Sequence, residues 1–294
     1  MSYFDSYKDI QKQKPFSFRE ILRNHSLDML SLIDRIKGID GDLVSPRVQF
    51  IYLHHVFKDE EKSFEQLIQL LSKQHFFLSY TSAVEKILTG TIDRPYISIC
   101  FDDGFKNNLK AAEILNKYEI TACFFVNPFI ISTSSFEEKE AFCRVKLETI
   151  PIEFLEWNDI AILQKSGHEI GSHTMEHTNV ANLDKNAFED DCFQSFEILS
   201  KHCGNVKHFS FPYGRFYHFN NIAAQAVFNA GFYSCATAER GCHINPENKL
   251  AHDELCIRRD HVIAQWNPKH ILYFLANNSR KAHRNNNLFP YGNS

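Results

Sequence analysis

The sequence predicts an α/β fold built on a parallel sheet, with a helical extension in front of it. Segments of strand character alternate with segments of helical character from about residue 48 to residue 276, and such alternation argues for parallel strands covered by helices. Three polar motifs each follow a strand segment directly, which suits a site built at strand ends. Residues 1–47 stay outside this rhythm. Over about 230 residues, both a barrel and a doubly wound sheet fit, and alternation alone leaves both open.

In the extension, residues 26–37 read as one amphipathic helix with Met29, Leu30, Ile33 and Ile36 on one face and Gly38 as its stop. It is expected to pack on the outside of the domain, with an oligomer contact or a lid as the other readings. Residues 48–53 (VQFIYL) are strand-like, and 63–74 are helical, with Ser63 and Gln66 in a capping-box pattern. Residues 96–101 (YISICF) form a buried-strand run. A helical face of Leu109, Ala112 and Leu115 spans 108–117, and 121–126 is the next strand. After a longer connection, Asn158 caps a helix bearing Ile162 and Leu163 that stops at Gly167. Strand 168–172, a long helix over 184–203, strand 208–211 and helix 221–230, ended by Gly231, follow. Residues 232–236 and 255–258 are the last strands. The tail from Asn277 is polar and expected to be loose. The divisions are therefore 1–47, 48–276 and 277–294, with no internal repeat.

Composition excludes several classes of function. With 32 Lys and Arg against 36 Asp and Glu, the net charge of -4 supplies no basic face for nucleic acid. No run of about 18 apolar residues is present to span a membrane. The first residues lack the apolar core of a secretory signal peptide, so a cytoplasmic location is expected. The eight cysteines contain no C-x-x-C pair, which argues against zinc ribbons and thioredoxin-like motifs, and they are expected to be reduced and packed.

Some of the 15 histidines are organised. The first motif is Phe101-Asp102-Asp103-Gly104. Neighbouring strand residues point opposite ways, so both carboxylates serve one site only where the strand is ending. A solvated Asp-Asp-Gly turn is the plainer reading. The second motif runs from Gly167 to His177. His173 and His177 lie four apart, so both imidazoles can face one ion if the chain turns helically after the strand. With Asp103 they make a set of two histidines and one carboxylate, whose ion would keep positions for water and a substrate oxygen. The third motif, Ser210-Phe211-Pro212-Tyr213-Gly214, is a Pro-aromatic-Gly turn able to present a main-chain N–H.

The ordered trio resembles the three leading motifs of the polysaccharide deacetylases of carbohydrate esterase family 4, the NodB-homology domain. Leu53-His54-His55-Val56 resembles that family's Tyr-His-x-Val after the first strand, and 122–126 its Ala-Thr-Phe-Phe-Val strand. The resemblance covers residues 48–265. It implies a distorted, TIM-like (β/α) barrel with a divalent metal at its mouth, most often zinc, with cobalt, nickel or manganese as alternatives. By motif position, Asp103, His173 and His177 would be the ligands and Asp102 the general base. The Tyr213 N–H would be the oxyanion donor. Pro212, Tyr213, Gly214 and Asn127 are candidate substrate contacts, as are Trp157 and Phe216.

Three departures matter. Ser210 stands where the family's third motif carries the Arg that holds the base. The fourth motif, with its Asp and Trp, is not legible. Residues 256–261 resemble instead the Leu-Pro-Arg-Ile strand of a subgroup acting on poly-N-acetylglucosamine. The Leu-x-His that supplies the general acid is missing, and His54 ranks first for that role, ahead of His55 and His261, because strand ends line a barrel's active face. The implied reaction removes the N-acetyl group of an N-acetylhexosamine, in a glycan or a precursor for surface polysaccharide, releasing acetate. O-deacetylation, deformylation and a catalytically impaired glycan-binding role are the alternatives. A glycosidase using Asp102 and Asp103 fits poorly, since adjacent side chains rarely reach the roughly 5–9.5 Å separation required.

Overall fold

The computed structural model describes residues 2–13 and 17–290. Three helices come first: α1 (Tyr7–Gln13), α2 (Phe18–Lys37) and α3 (Asp40–Val44). The alternation then runs β1 (Arg47–Leu53), α4 (Glu61–Leu71), β2 (Phe76–Phe77), α5 (Tyr80–Leu88), β3 (Pro95–Phe101), α6 (Asn108–Asn116) and β4 (Ala122–Val126). Next come α7 (Pro128–Ser132), α8 (Phe136–Val145), α9 (Trp157–Lys165), β5 (Glu169–Ser172), α10 (Lys185–Cys203), β6 (His208–Ser210) and α11 (Asn221–Asn229). β7 (Ser234–Ala236), β8 (Cys256–Ile257), β9 (Arg259–His261) and α12 (Pro268–Arg280) complete the order.

All strand pairs are parallel, in the spatial order β8-β7-β6-β5-β4-β3-β1-β9, with β2 beside the start of β3. β8 pairs with β7 while β9 pairs with β1, and only Arg258 separates the two. The last strand therefore passes from one edge of the sheet to the other and nearly closes a barrel. This decides between the two architectures that alternation left open.

Side chains alternate in direction along each strand, and this splits the apolar residues into two cores. Ile51, Leu53, Ile99, Phe101, Phe124, Val126 and Phe209 pack outward against the helices. Phe50, Tyr52, Cys100, Cys123, Phe125, Ala236 and Ile257 pack inside the barrel. α5 seals one end of that interior. The Tyr80 ring lies 4.8 Å from Phe50 and 5.4 Å from Phe125, and Thr81 N bonds Glu169 at the start of β5. With the N-terminal end filled, the strands' carboxyl ends remain for a site.

Several local expectations are corrected. α4 starts at Glu61, so Ser63 and Gln66 lie inside the helix. The buried Glu60 carboxylate instead accepts from the Phe57 N–H at its start. The box that starts α9 is Glu156 with Asp159, not Asn158. α2 begins at Phe18 and carries Met29 and Ile36 exposed at 60% and 77%, while Leu27, Ser31 and Asp34 are buried. Its polar edge faces α12, where Asp28 meets His270, Ser31 meets the Lys269 carbonyl and Asp34 meets Arg280. The stretch expected to be loose from Asn277 begins as the end of α12. Asn278 donates to buried Asp260 and Asn287 bonds buried His243; residues 291–294 lie outside the described residues.

All eight cysteines are free. Among the described residues no helix is long and apolar enough to cross a membrane.

Gly171 on β5 is needed for its size. A Cβ there would fall 2.5 Å from the Phe125 ring and 2.8 Å from the His208 carbonyl oxygen. Gly171→Ala is expected to lower stability by about 1–3 kcal/mol through overpacking, read as a thermal midpoint lower by several degrees. An unchanged midpoint would show that the barrel wall yields freely at this point.

Candidate active site

β3 delivers Asp102 and Asp103 to the barrel mouth. Asp103 and Gly104 take φ values of +71° and +70°, so the chain leaves the strand in a turn and both carboxylates stay on the site side. Asp103, Thr174, His177 and Tyr213 are four of the six described non-glycine residues with positive φ. Such backbone strain persists only where the surroundings over-determine it. Here Asn127 is one of those determinants, since its Nδ2 donates to the carbonyls of His173 and Thr174. Gly214 is another, packed so tightly that a Cβ would fall 2.5 Å from the Ala238 nitrogen.

Asp103, His173 and His177 are buried and meet at one point. Asp103 Oδ1 is 3.4 Å from the Nε2 atoms of both histidines, and one ligand atom from each residue lies within 4.8 Å of the others. Oδ1 is shielded from water and has no hydrogen-bond partner, a costly state for a carboxylate that a divalent ion relieves. His173 Nδ1 donates to the Ser210 carbonyl at 2.8 Å, leaving Nε2 as the ligand lone pair, the arrangement usual for metal-bound histidine. Burial lowers His177 to a pKa of about 4, so it is neutral and ready to ligate. Burial raises the Asp103 carboxyl, but His173, His54 and His177 together pull it well below the ordinary carboxylate range. The donor set fits a divalent cation of the zinc type.

Asp102 is held differently. Arg259, fully buried on β9, reaches across the interior and donates from Nη1 and Nη2 to both Asp102 carboxylate oxygens at 2.8 Å. Nη2 also donates to Ser210 Oγ at 2.6 Å, and Nε donates to the Thr237 carbonyl at 2.9 Å. The guanidinium lies 4.4 Å over the Tyr52 ring and 5.3 Å from Phe125. Burial would raise the Asp102 carboxyl, yet Arg259 and His173 bring it below its ordinary value. Ser210 therefore accepts from an arginine that another strand supplies.

Around these groups lies a cavity of about 350 Å³ lined by His54, His55, Asp103, His177, Tyr213 and His261, among others. His54 Nδ1 and His261 Nε2 are 3.1 Å apart, so all three candidate proton donors face it and two are hydrogen-bonded to each other. Burial lowers the pKa of both rings, that of His261 strongly. His55 pairs instead with buried Glu60 at 3.1 Å.

The third-motif turn has Tyr213 at φ +61°, with its ring 5.1 Å from His177 and its hydroxyl donating to the Lys146 carbonyl. Pro212 and Gly214 hold that turn. Asn127 is corrected: it is fully buried behind the ligand loop and has a positioning role. Trp157 and Phe216 are outside the cavity wall, Trp157 being stacked on His202 at 3.9 Å. Sequence reasoning missed Arg259 as the partner of Asp102, the wall formed by Lys146–Thr149, and Tyr7 and Ile10 from α1. Arg259 alone left a signal, as a charged residue within the last strand.

Residues 89–234 match the family model described as Polysaccharide deacetylase. No curated protein matches the chain. Solved structures of similar fold include the Streptococcus pyogenes deacetylase PplD in complex with acetate (16% identity, covering 79% of this chain and 99% of that one, TM-score 0.61). IcaB from Ammonifex degensii is similar at 17% identity, 79% and 98% coverage and a TM-score of 0.61. A de-N-acetylase from Aggregatibacter actinomycetemcomitans gives 16%, 78% and 99%, and 0.63. At these identities the likeness establishes the barrel.

Arg259→Gln is expected to cost roughly 3–5 kcal/mol at neutral pH, because it strands a buried carboxylate. The depressed Asp102 pKa of the wild type means its contribution is complete above the unfolded value of about 3.9 and is lost as pH falls through the folded value. Without the guanidinium, burial raises that pKa, and the penalty is incurred as pH rises instead. The gap in thermal midpoint between the metal-free proteins should therefore narrow from pH 7 towards pH 4; a gap constant with pH would contradict this.

Proposed function

This chain belongs to the polysaccharide deacetylase family, and we propose that it is a divalent-metal hydrolase that removes the N-acetyl group from an N-acetylhexosamine of a glycan or glycan precursor. The observation that carries the reading is the unlike setting of two neighbouring carboxylates. Asp103 sits among imidazoles with an unpartnered oxygen, whereas both oxygens of Asp102 are held by Arg259. One suits a ligand and the other a base.

Asp103, His173 and His177 would hold a zinc ion, which when bound would bring the pKa of a water to about 7 and polarise the acetyl carbonyl; cobalt, nickel and manganese fit the same donors. In this reading Asp102, ionised at neutral pH, takes the proton of the attacking water. Among the described residues the Tyr213 N–H has no main-chain acceptor, and it donates to the oxyanion as the carbonyl carbon becomes tetrahedral. His54 gives the leaving amine its proton, while His261 fixes the ring through Nδ1. The products are acetate and a free amine. Tyr213 offers an aromatic face for the sugar, with Pro212 and Gly214 shaping that edge, and Lys146, Glu148 and Thr149 offer polar groups. The names of the similar structures, a deacetylase bound to acetate and a de-N-acetylase, support the same chemistry.

Protein stripped by chelator and reloaded with zinc should release acetate and new amine in equal amounts from N-acetylglucosamine oligosaccharides. Asp103→Ala should lose stoichiometric zinc. Asp102→Asn should keep it and react about 10²–10⁴-fold more slowly. Acetate without new amine would move the assignment to O-acetyl groups, formate would move it to deformylation, and wild-type turnover by Asp102→Asn would remove Asp102 as the base.

A further inference from the structure

The cavity over Asp103 has one wall that the barrel does not provide. Tyr7 and Ile10 of α1 line it together with Tyr213, Phe105 and His55. Tyr7 is buried, its ring 5.9 Å from His55.

The segment is fastened to the barrel rim at two places along residues 3–8. Phe4 N donates to the Pro151 carbonyl at 2.9 Å and the Tyr3 ring lies 5.0 Å from Phe136, both in the connection between β4 and β5. Just after them, the Asp59 carboxylate, which follows β1, accepts from Ser6 Oγ at 2.9 Å, Tyr7 N at 2.8 Å and Lys8 N at 3.3 Å. Gln265 in turn donates to the Asp59 carbonyl at 2.8 Å. Three donors on one carboxylate, two of them main-chain N–H groups, make a specific latch.

We propose that residues 3–13 form a strap across the barrel rim that closes one side of the active-site cavity. The group next to the N-acetylated ring rests against Tyr7 and Ile10, so the enzyme selects short oligosaccharides over long polymers. The inference rests on the N-deacetylase reading above and adds the substrate length. A polymer processed along its interior needs a groove open on both sides of the reacting sugar, and the strap occupies one of those sides. The apolar face of a pyranose or similar ring fits a tyrosine ring beside an isoleucine, and the polar groups of Lys146, Glu148 and Thr149 remain for hydroxyls. At about 350 Å³ the cavity is near the small end of the ~300–1,000 Å³ range of ligand sites.

The test compares zinc-loaded wild type with full-length Tyr7→Ala, Ile10→Ala and Asp59→Ala. Substrates are N-acetylglucosamine oligomers from monosaccharide to hexasaccharide, with 4-methylumbelliferyl acetate as a probe that needs only the reacting centre. Wild type should favour the short oligomers. Tyr7→Ala and Ile10→Ala should raise their KM about tenfold or more with kcat nearly unchanged. Asp59→Ala, which unlatches the strap, should shift preference towards the hexasaccharide. Ester hydrolysis should stay at the wild-type rate in Asp59→Ala, whose side chain lies outside the cavity lining. Unchanged KM across the series, or an unchanged length preference in Asp59→Ala, overturns the proposal. Parallel loss of ester hydrolysis in Asp59→Ala overturns it too, by assigning the strap to support of the barrel. Wild type that cleaves the ester but no oligomer refutes the N-acetylhexosamine reading, and the strap proposal falls with it; that outcome is distinct because the variants play no part in it.

Discussion

The site depends on one ion pair inside the barrel. A guanidinium sealed from water must have its donors satisfied, and Arg259 meets that demand with Asp102, Ser210 and the Thr237 carbonyl, over the faces of Tyr52 and Phe125. Such a pair is weak evidence for stability, because the desolvation of both charges offsets most of their attraction. Its effect is positional. With both oxygens engaged, Asp102 is fixed beside the ligand cluster and kept apart from it, so Asp103 alone faces His173 and His177. Arg259 Nη2 also reaches the place a longer side chain at 210 would fill.

Around that fixed point the mouth is tightly specified. The strained φ angles of Asp103, Thr174, His177 and Tyr213 hold because buried groups such as Asn127 and Gly214 leave the loops no alternative path. α5 plugs the opposite end, so the interior is solid below and open only at the strand ends.

The alternation of strands and helices and the clustering of Asp103, His173 and His177 were largely legible in the sequence, the barrel itself only through the family resemblance. Strand runs such as YISICF and helix stops such as Gly167 and Gly231 are local signals, and the His173–His177 spacing is local too. What escaped depends on tertiary partners. Asn277 and its neighbours read as a loose polar tail, yet Asn278 lies against buried Asp260, whose carboxyl burial lifts to about 6 and Arg240 also pairs. α2 displays its apolar residues and packs by its polar edge because α12 offers His270 and Arg280 there. Asn127 suited a sugar contact by residue type; only the fold shows its amide turned to main-chain carbonyls. The Arg259–Asp102 pair spans 157 positions of chain, and no periodicity reports a contact of that range.

The change of sheet edge at Arg258 ties assembly of the candidate centre to the last strand. β1, the first strand made, carries His54 at its end, and β9, the last, brings Arg259 and His261; the two strands are neighbours. A growing chain can stack β1 through β7 while Asp102 still lacks its counter-ion and His54 its partner. The candidate centre therefore comes together only as the sheet's free edges meet, and on the proposed function chemical competence would be a direct report that the barrel has closed.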